Sequence, residues 1–420
     1  MPALKTAAAV EKSVRDAVAK TPVVDLHTHI YPPAFGGLML WGVDELLTYH
    51  YLVAEVFRRV PPDYESFWKL PKRAQADLIW EKLFVENSPV SEACRGVLTC
   101  LKMLGVDTSA RSLDKARAYF RKQTPEGYVD VVFEAAGVKR VVMTNNPFDA
   151  DERATWLKRP NIDPRFAAAL RIDPLLVTWP KAAVELKAMG YAVRGKIDGK
   201  TVLEVRRFLN DWIDRMGALY MACSLSYDFT YPDKSACSTV LRHCVLDVAR
   251  RRGIPFAMMI GVQRLINPAL RLAGDGVAAA DVRVVETICR EHPENRFLVT
   301  MLSRENQHQL CVAARKFGNM MPFGCWWFLN DPSLIDEITR MRTELLGLSF
   351  VPQHSDARVL DQLLYKWSHS RAVIAGVLVE KYRDLAATGW TVSSEDVQRD
   401  VANLLGGNFE RFLAETPKAT

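Results

Sequence analysis

The chain has 420 residues, of which 49% are hydrophobic and 25% are charged, a composition that excludes disordered and fibrous proteins. Its formal charge of +6 arises from 55 basic and 49 acidic residues that are spread along the sequence. Because the sequence has no dense basic run and no apolar stretch of about eighteen residues, we expect neither nucleic acid nor a membrane as a partner.

The first twenty residues form an amphipathic pattern that predicts a helix rather than a secretory signal. The eight cysteines include no Cys-x-x-Cys pair, so we predict reduced and mostly buried thiols. Together these features predict a soluble cytoplasmic protein.

Eight short apolar runs follow along the chain, and each ends in polar or turn residues, as β-strands do. Segments with apolar residues at helical spacing, such as 281–292 and 333–346, lie between them. The predicted strands are Val23–Ile30, Arg140–Thr144, Ala167–Ile172, Leu219–Ser226, Pro255–Gly261, Arg296–Leu302, Met321–Phe328 and Ser349–His354. Since strands that alternate with helices form parallel sheets and eight is the strand number of a β/α barrel, we predict an α/β fold, a (β/α)8 TIM-like barrel.

Two segments depart from this alternation. Residues 31–137 are too long for one crossover and are rich in helix formers, so we predict a helical insertion after the first strand, over the barrel mouth. Residues 360–412 predict a helical C-terminal tail. Because no repeat, low-complexity tract or linker marks a boundary, we predict one domain that spans residues 1–420.

The first predicted strand ends in the sequence DLHTH, residues 25–29. Residues two apart on a strand point to the same side, so His27 and His29 both face the interior at the carboxyl end of the strand, where β/α barrels place their active sites. Two histidines at this spacing are, by themselves, more often core or surface residues than metal ligands. Their position at the end of a first barrel strand favours a metal site.

The eighth predicted strand is followed by Ser355, Asp356 and Arg358. In a closed barrel the first and eighth strands are neighbours, so Asp356 can reach a metal that the histidine pair holds. Two histidines and one carboxylate leave coordination positions open for substrate oxygens. The alternative is that Asp356 caps the next helix. Arg358 can place a positive charge near the same site, which suits a substrate with a carboxylate.

The predicted insertion contains His50 and Tyr51 on a helix that is otherwise apolar. Their polar atoms need partners if they are buried, so they either serve the site or form a local hydrogen bond within the packed helix. The segment alone does not decide between these alternatives.

Six segments carry a family resemblance. They are DLHTH at 25–29, WGVDELLTYHYLVAE at 41–55, MTNNPFD at 143–149, MLSRENQH at 301–308, FGCWWF at 323–328 and QHSDAR at 353–358. Together they resemble the uronate isomerases, also called glucuronate isomerases, of the amidohydrolase superfamily, and the resemblance runs through nearly the whole chain. His-x-His is shared by the superfamily, whereas the combination of HYL, GCWWF and SDAR is more specific. The sequence is most similar to the divergent branch found in some bacilli.

The resemblance implies an aldose–ketose isomerase. Such an enzyme interconverts D-glucuronate with D-fructuronate, and D-galacturonate with D-tagaturonate, by metal-assisted proton transfer between C2 and C1. The resemblance implies one divalent metal, usually zinc, bound by His27, His29 and Asp356. It also implies a substrate site lined by Tyr51, His50, Arg358, Arg171, Trp326 and Trp327. For the two tryptophans the alternative is a simple place in the apolar core.

Within that mechanism Asp356 and Tyr51 are the candidates that carry protons, either directly on carbon or between the two substrate oxygens. Arg358 would stabilise charge near the reacting end or bind the carboxylate, and Arg171 would supply a second positive contact. We therefore expect a small sugar acid as the substrate and, as is common for enzymes of this size, a homo-oligomer.

One position departs from the family. Many uronate isomerases carry a histidine on the fifth strand, whereas this chain has Met259 there. A thioether can neither carry a proton as imidazole does nor bind zinc well, so any role of that histidine is absent or relocated. Superfamily hydrolases with two metals need a bridging lysine or carboxylate on the fourth strand and histidines on the fifth and sixth, and this sequence has none of them at those places.

Two alternatives remain open at this point. The first is a hydrolase or decarboxylase of the same superfamily with one metal, because His-x-His with an aspartate also suits water activation. The second is a sugar-acid binding protein without catalysis, for which Met259 is the main support.

Overall fold

The computed structural model describes residues 3–415, so Met1, Pro2 and residues 416–420 of the predicted domain lie outside the described part. The strands are β1 Val23–Thr28, β2 Val138–Asn145, β3 Phe166–Arg171, β4 Met221–Ser226, β5 Phe256–Gln263, β6 Gly276–Val277, β7 Phe297–Met301 and β8 Met320–Pro322. Seven of them form one curled parallel sheet in the order β1-β2-β3-β4-β5-β7-β8, and β6 pairs with β5 in the antiparallel sense. The first seven predicted strands are thereby confirmed in place and order.

The eighth predicted strand, Ser349–His354, is not a strand in this structure, and only Val351 forms a parallel bridge, with Phe323. Proline has no amide hydrogen, so Pro352 cannot donate to a ladder. The side-chain carbonyl of Gln353 instead accepts the amides of Cys325 at 2.8 Å and of His354 at 3.0 Å. Within the described residues the sheet is therefore a curled half-barrel of seven parallel strands.

The strand predicted for Met321–Phe328 is also shorter than expected, since β8 ends at Pro322. Gly324 follows with φ of +64°, and a Cβ atom there would lie 1.7 Å from Nδ1 of His354. Only glycine can follow this path, because any side chain would overlap the imidazole. The backbone leaves the sheet at this point and places Trp326 and Trp327 at the end of the barrel.

Helices fill the interval between β1 and β2. They are α2 Val43–Leu47, α3 His50–Val56, α4 Tyr64–Lys69, α5 Lys72–Trp80, α6 Glu92–Met103, α7 Asp114–Phe120 and α8 Pro125–Ala136, with a 3-10 turn at Pro33–Leu38 and a π turn at Glu81–Val85. Before β1, α1 Ala7–Lys20 begins where the Thr6 side chain accepts the Ala9 amide at 3.1 Å.

Helices also follow most of the other strands. They are α9 Ala150–Leu157, α10 Asp173–Val177, α11 Trp179–Ala188, α12 Gly199–Met216, α13 Ala236–Val240, α14 Leu246–Arg252, α15 Val282–Glu291, α16 Gln307–Ala314, α17 Pro332–Leu346, α18 Gln362–Ala387, α19 Ser394–Ala402 and α20 Asn408–Ala414. Shorter 3-10 and π turns lie at Leu241–Val245, Pro268–Gly274, Arg304–Asn306, Trp327–Leu329 and Asn403–Gly407. The two predicted crossover helices correspond to α15 and α17.

The apolar side chains divide between the two faces of the sheet. We call the set on the concave face the inner cluster: Val24, Leu26, Val142, Ala169, Tyr220, Ala222, Ala257, Met259, Val262, Leu298, Leu302, Phe323, Trp326, Val351, Phe409 and Phe412. The intervening strand residues, such as Val141, Met143 and Met258, pack against the helices. Phe409 and Phe412 come from α20, so the last helix closes the inner cluster near the start of β1.

All eight cysteines are unpaired and seven of them are buried, which agrees with the predicted reduced thiols.

Among residues 3–415, no helix combines the length and hydropathy that a membrane crossing requires.

Candidate active site

The structure brings His27, His29 and Asp356 together at the carboxyl end of β1. Nε2 of His29 lies 3.3 Å from Oδ1 of Asp356, and Nε2 of His27 lies 3.7 Å from the same oxygen. One ligand atom from each of the three residues lies within 4.8 Å of the other two. A histidine pair near the start of the chain and a carboxylate 327 residues later therefore form one cluster.

A bulge in β1 aims the first histidine. The register against β2 shifts by one residue between Asp25, which pairs with Val141, and Thr28, which pairs with Met143. Neighbouring residues of a regular strand point to opposite faces, but a bulge changes the direction of a side chain. Leu26 belongs to the inner cluster, and the bulge allows His27 to point toward the same side. The imidazole of His27 lies 6.3 Å from the ring of Phe323, a member of that cluster.

Asp356 is held by backbone contacts with the same strand. Its amide donates to the carbonyl of His27 at 3.2 Å, and the amide of His29 donates to the carbonyl of Ala357 at 2.7 Å. The backbone of Asp356 has φ of +53°, which is unusual for a residue other than glycine and is frequent at functional sites. Asp356 does not cap a helix, because α18 begins at Gln362.

The hydrogen bonds of the two histidines fix where their lone pairs point. The hydroxyl of Thr144 donates to the carbonyl of Thr28 at 3.0 Å, so its contact of 2.7 Å with His29 accepts a hydrogen from Nδ1. The hydroxyl of Tyr220 likewise donates to the carbonyl of Leu26 at 2.5 Å and lies 3.5 Å from Nδ1 of His27. In both rings Nε2 then carries a lone pair and faces Asp356.

This arrangement fits a divalent cation. Oδ1 of Asp356 is buried and has no hydrogen-bond partner, and the atoms nearest to it in the two histidines are acceptors. Burial, with the charges of neighbouring basic groups, lowers the pKa of His27 to about 3 and that of His29 well below its usual value, so both rings are neutral. Three buried lone pairs that face one another need a positive charge between them, and two imidazoles with one carboxylate are a ligand set for zinc-like metals.

A narrow pocket opens beside the cluster, and most of the predicted substrate residues line it. Its walls consist of His29, Tyr49, His50, Arg171, Ser224, Arg264, Leu272, Asp275, Trp326, Trp327, Asp356 and Arg358. Tyr51 is the predicted substrate residue that is not part of this wall. A larger surface groove, about 880 Å³, lies near α9, α11 and α12 and contains none of the predicted site residues.

Three consecutive residues at the start of α3 have different surroundings. Tyr49 and His50 line the pocket, and Nε2 of His50 accepts a hydrogen bond from Nε1 of Trp327 at 3.1 Å. Burial lowers the pKa of His50 to about 3, so the ring is neutral with its hydrogen on Nδ1. The ring of Tyr51 packs against His50 and against the amine of Lys366, 5.4 Å from its centre, and burial raises the pKa of Tyr51 well above its usual value. Tyr51 is therefore a phenol, not a phenolate, at neutral pH.

The two predicted arginines are both present in the pocket wall. Nε and Nη2 of Arg171 bind the two oxygens of Asp173 at 3.0 and 2.8 Å, which fixes the guanidinium plane. The backbone of Arg358 is held by Oε1 of Gln362, at 2.8 Å from its amide. The charges of both arginines lower the pKa of His29, so both lie close to the metal ligands.

Sequence reasoning missed several residues of the site. Tyr49 directly precedes His50 and Tyr51, and Arg264 directly follows β5. No sequence motif distinguishes Arg264, although both residues line the pocket. Lys366 is 5% exposed on α18, where burial lowers its pKa to about 8. The sequence places His354 only at the end of the eighth predicted strand and in the segment QHSDAR, yet its ring lies 5.2 Å from that of His27 and neither of its nitrogens has a hydrogen-bond partner. The sequence signal that could have identified Lys366 and Tyr49 is a charged or aromatic residue on the apolar face of a predicted helix.

Met259 lies on β5, at the position where the family resemblance led us to expect a histidine. Its side chain is 1% exposed and belongs to the inner cluster. The position is therefore part of the apolar interior in this chain.

The structure combines a curled parallel sheet, surrounded by helices, with a cluster of His27, His29 and Asp356 where the first strand ends. These two features define the class of TIM-barrel-like enzymes with a candidate metal site. A solved uronate isomerase from Bacillus halodurans is 53% identical to this chain, covers 98% of each chain and superimposes with a TM-score of 0.96. The chain belongs to the uronate isomerase family.

Two further solved structures share the fold. They are a uronate isomerase from Thermotoga maritima, with 13% identity, a TM-score of 0.79 and 96% and 97% of the two chains covered, and a glucuronate isomerase from Caulobacter crescentus, with 13% identity, a TM-score of 0.71 and 98% and 95% covered. At this identity they support the fold alone. No protein-family model and no curated protein matches the chain.

Proposed function

We propose that this protein is a uronate isomerase that interconverts D-glucuronate with D-fructuronate and D-galacturonate with D-tagaturonate. The observation that carries the proposal is the cluster of unpaired ligand atoms of His27, His29 and Asp356 at one end of a pocket whose wall contains arginines. Membership in the family, at 53% identity over almost the full length, supports the same reaction. The reaction moves a hydrogen from C2 of the open-chain aldose to C1.

His27, His29 and Asp356 are the residues that would hold one divalent cation, and zinc is the metal that this ligand set favours. A bound cation supplies positive charge that stabilises negative charge developing on the carbonyl and neighbouring hydroxyl oxygens of the substrate. The hydrogen bonds from Nδ1 of His29 to Thr144 and from Nδ1 of His27 toward Tyr220 keep the two Nε2 atoms available for it.

Asp356 is the proposed base that takes the proton from C2 and returns it at C1. Its carboxylate lines the pocket and has two oxygens, so one oxygen can face the cation while the other takes the proton from the substrate. Tyr51 is the proposed proton donor to the substrate oxygens. It does not line the pocket itself, but its ring packs against His50, which does, and its raised pKa keeps the hydroxyl protonated. His50, oriented by Trp327, would contact the substrate hydroxyls.

The basic side of the pocket would bind the acid group of the substrate. Arg358 and Arg171 offer guanidinium groups there, and Asp173 holds Arg171 in a fixed plane. Trp326 and Trp327 form an apolar wall against which the sugar carbons would pack. Uncharged aldoses lack the group that these arginines bind and should be poor substrates.

We also infer the larger arrangement that the sequence predicts, an eight-position barrel with a helical insertion at about 31–137 over its mouth and a helical tail at about 360–412, all in one domain. The position of α3, whose His50 lines the pocket, supports the placement of the insertion. A cytoplasmic location and a homo-oligomer stay predictions.

Product analysis by NMR in deuterated water tests the function. Zinc-loaded protein should convert D-glucuronate into D-fructuronate and D-galacturonate into D-tagaturonate, with deuterium from the solvent at C1 of the product. Absence of turnover of both acids at every metal loading would contradict the proposal. Turnover without any deuterium would keep the isomerase but exclude Asp356 as an exchanging proton carrier.

A further inference from the structure

We propose that Lys366 is a positioning residue whose ammonium group stabilises the negative charge that forms on Tyr51 when the Tyr51 hydroxyl gives up its proton. The inference rests on the proposed function, in which Tyr51 donates a proton to the substrate oxygens. It adds the cation that this donation requires, and it starts from one buried lysine near the beginning of α18.

Lys366 is a buried cation that contacts no group of opposite charge. The residue is 5% exposed, and among the described residues its amine has neither a salt bridge nor a hydrogen bond. The carboxylates of Asp356 and Glu92 attract it only from beyond contact distance. Burial lowers the pKa of Lys366 to about 8, so the amine still carries its charge at neutral pH. A buried charge without a partner costs free energy of folding and marks a candidate functional residue.

The amine of Lys366 faces the rings of two tyrosines. Its Nζ lies over the ring of Tyr51, 5.4 Å from the ring centre, and over the ring of Tyr365 at 5.5 Å. A cation over the face of an aromatic ring is attracted by the π electrons, and the attraction increases when the ring becomes negatively charged. The position of Lys366 therefore favours the phenolate form of Tyr51.

The two chain neighbours of Lys366 fix its place. The ring of Tyr365 packs so closely on α6 that a Cβ atom on Gly96 would lie 2.8 Å from it. On the other side, Nε1 of Trp367 donates to Oδ2 of Asp25 at 2.8 Å. The backbone of Lys366 is therefore held on both sides, and its amine stays beside the same rings.

Tyr51 connects this cation to the pocket. Its ring packs edge-on against the rings of His50 and Tyr49, with centres 4.4 and 5.1 Å apart, and both of these residues line the pocket. The ring of Tyr365 instead packs against α6 and is not part of the pocket wall. Of the two tyrosines next to Lys366, Tyr51 is therefore the one that can exchange a proton with a bound substrate.

The proton transfer leaves a charge that the surroundings must stabilise. When Tyr51 donates, its O–H bond breaks, the proton goes to one substrate oxygen, and the electron pair stays on the phenolate. The phenolate then takes a proton from the other substrate oxygen. Burial makes this phenolate costly, because it raises the pKa of Tyr51 well above its usual value. A unit positive charge 5.4 Å away, at an effective dielectric constant of about 20, shifts such an equilibrium by about 100-fold toward the phenolate.

The kinetics of Lys366→Met test the assignment, because methionine keeps most of the length of the side chain and removes its charge. We expect kcat for D-glucuronate to fall by about 10- to 100-fold, since the phenolate loses its cation. KM should change by less than about threefold, because Lys366 does not line the pocket. Lys366→Arg keeps the charge and should restore kcat to within about fivefold of wild type. In urea denaturation, the free energy of unfolding of Lys366→Met should equal or exceed that of wild type, since a buried charge is removed.

Lys381→Met is the matched control. Lys381 lies on the same helix, and its amine pairs with Glu344 at 2.7 Å, so its loss should leave kcat unchanged. Wild-type kcat in Lys366→Met would overturn the assignment. A lower kcat that accompanies a lower free energy of unfolding and is not restored by Lys366→Arg would overturn it as well, because the role would then be structural. If Lys366→Met does not fold, Lys366→Gln provides the same comparison.

Tyr51→Phe tests whether Lys366 acts through Tyr51. The protein with both Lys366→Met and Tyr51→Phe should be no slower than Tyr51→Phe alone, because no phenolate is left for the charge to stabilise. A further loss of kcat in the doubly substituted protein would mean that Lys366 acts on another group, which contradicts the assignment. Wild type that turns over neither uronate would instead contradict the proposed function itself, and the assignment would fall with it.

Discussion

Two buried aspartates, Asp25 within β1 and Asp356 beside the carboxyl end of that strand, illustrate how differently neighbouring regions of this end of the sheet are built. Asp25 lies in the contact between β1 and residues 353–357, which we call the seam. There the amide of Ser355 donates to its two oxygens at 3.1 and 3.3 Å, and Nε1 of Trp367 donates at 2.8 Å. Asp356 lies beside the pocket, where its Oδ1 accepts no hydrogen bond and Nε2 of His29 and Nε2 of His27 lie 3.3 and 3.7 Å away. Both residues are buried aspartates, but Asp25 accepts hydrogen bonds from protein donors whereas Oδ1 of Asp356 accepts none.

This difference in hydrogen bonding indicates that Asp25 serves stability and Asp356 serves function. A buried carboxylate with its donors in place contributes to the free energy of unfolding, whereas one without donors costs free energy unless a ligand offsets it. We infer that the seam holds the first strand and residues 353–357 together so that the mouth can keep its unpaired ligand atoms. Changes in the two regions should therefore affect different measurements.

The largest expected effect is on catalysis. Asp356→Asn should lower kcat/KM for D-glucuronate by at least about 1000-fold, because the amide can neither take a proton nor bind a cation as the carboxylate does. The free energy of unfolding of the apo protein, from urea denaturation, should stay the same or rise, since an unpaired buried charge is removed. An active variant would remove Asp356 from the mechanism.

Asp25→Ala should instead unfold more easily. The change leaves the amide of Ser355 and Nε1 of Trp367 without an acceptor, which we expect to cost about 3 kcal/mol in urea denaturation. Asp25→Asn keeps one acceptor oxygen and should cost clearly less. Equal stability of Asp25→Ala and wild type would show that the seam does not hold the barrel end as described.

A third buried carboxylate, Asp361, should make the free energy of unfolding depend on pH. It accepts the amide of Gly42 at 2.8 Å and the hydroxyl of Tyr128 at 2.5 Å, and burial nevertheless raises its pKa to about 6. A raised pKa means that the folded state binds this proton more tightly than the unfolded chain, so the stability due to Asp361 is fully present below pH 4 and is lost by about pH 6.

Urea denaturation of wild type and Asp361→Asn at several pH values measures this contribution. The free energy of unfolding of wild type minus that of the variant should fall between about pH 4 and pH 6.5, by up to about 3 kcal/mol. A difference that is constant with pH would mean that the carboxyl group has an ordinary pKa in the folded protein.

The smallest effect is expected at the fifth strand. Met259→Leu conserves the volume of a side chain in the inner cluster, so it should change the free energy of unfolding by less than about 1.5 kcal/mol and leave kcat unaffected. Thermal denaturation and steady-state kinetics measure both quantities. A large loss of kcat would mean that the thioether acts in the reaction after all.

The sequence predicts the first seven strands well because each is a short, continuous apolar run between polar segments, as the buried strands of a parallel sheet require. It also predicts the cluster of His27, His29 and Asp356, since the closed barrel expected from the sequence would bring the first strand next to the chain at Asp356. The eighth strand was predicted from its apolar residues, but backbone hydrogen bonds decide a strand, and Pro352 and the side chain of Gln353 remove them.

Other features depend on contacts that no local pattern carries. The bulge that aims His27 exists only in the register between β1 and β2. The pairing of Arg264 with Asp275 requires the hairpin of β5 and β6 to form. The helix at His50 was predicted, whereas the direction in which Tyr49, His50 and Tyr51 point depends on the packing of α3 against the barrel.

Metal content tests the central claim most directly. Purified wild type, dialysed against zinc and then against metal-free buffer, should retain about one zinc ion per chain in elemental analysis, and the variants His29→Ala and Asp356→Ala should retain far less, while Asp25→Asn binds as wild type does. Equal zinc retention by wild type and both ligand variants would contradict the account, because the cation would then be bound somewhere other than the mouth of the barrel.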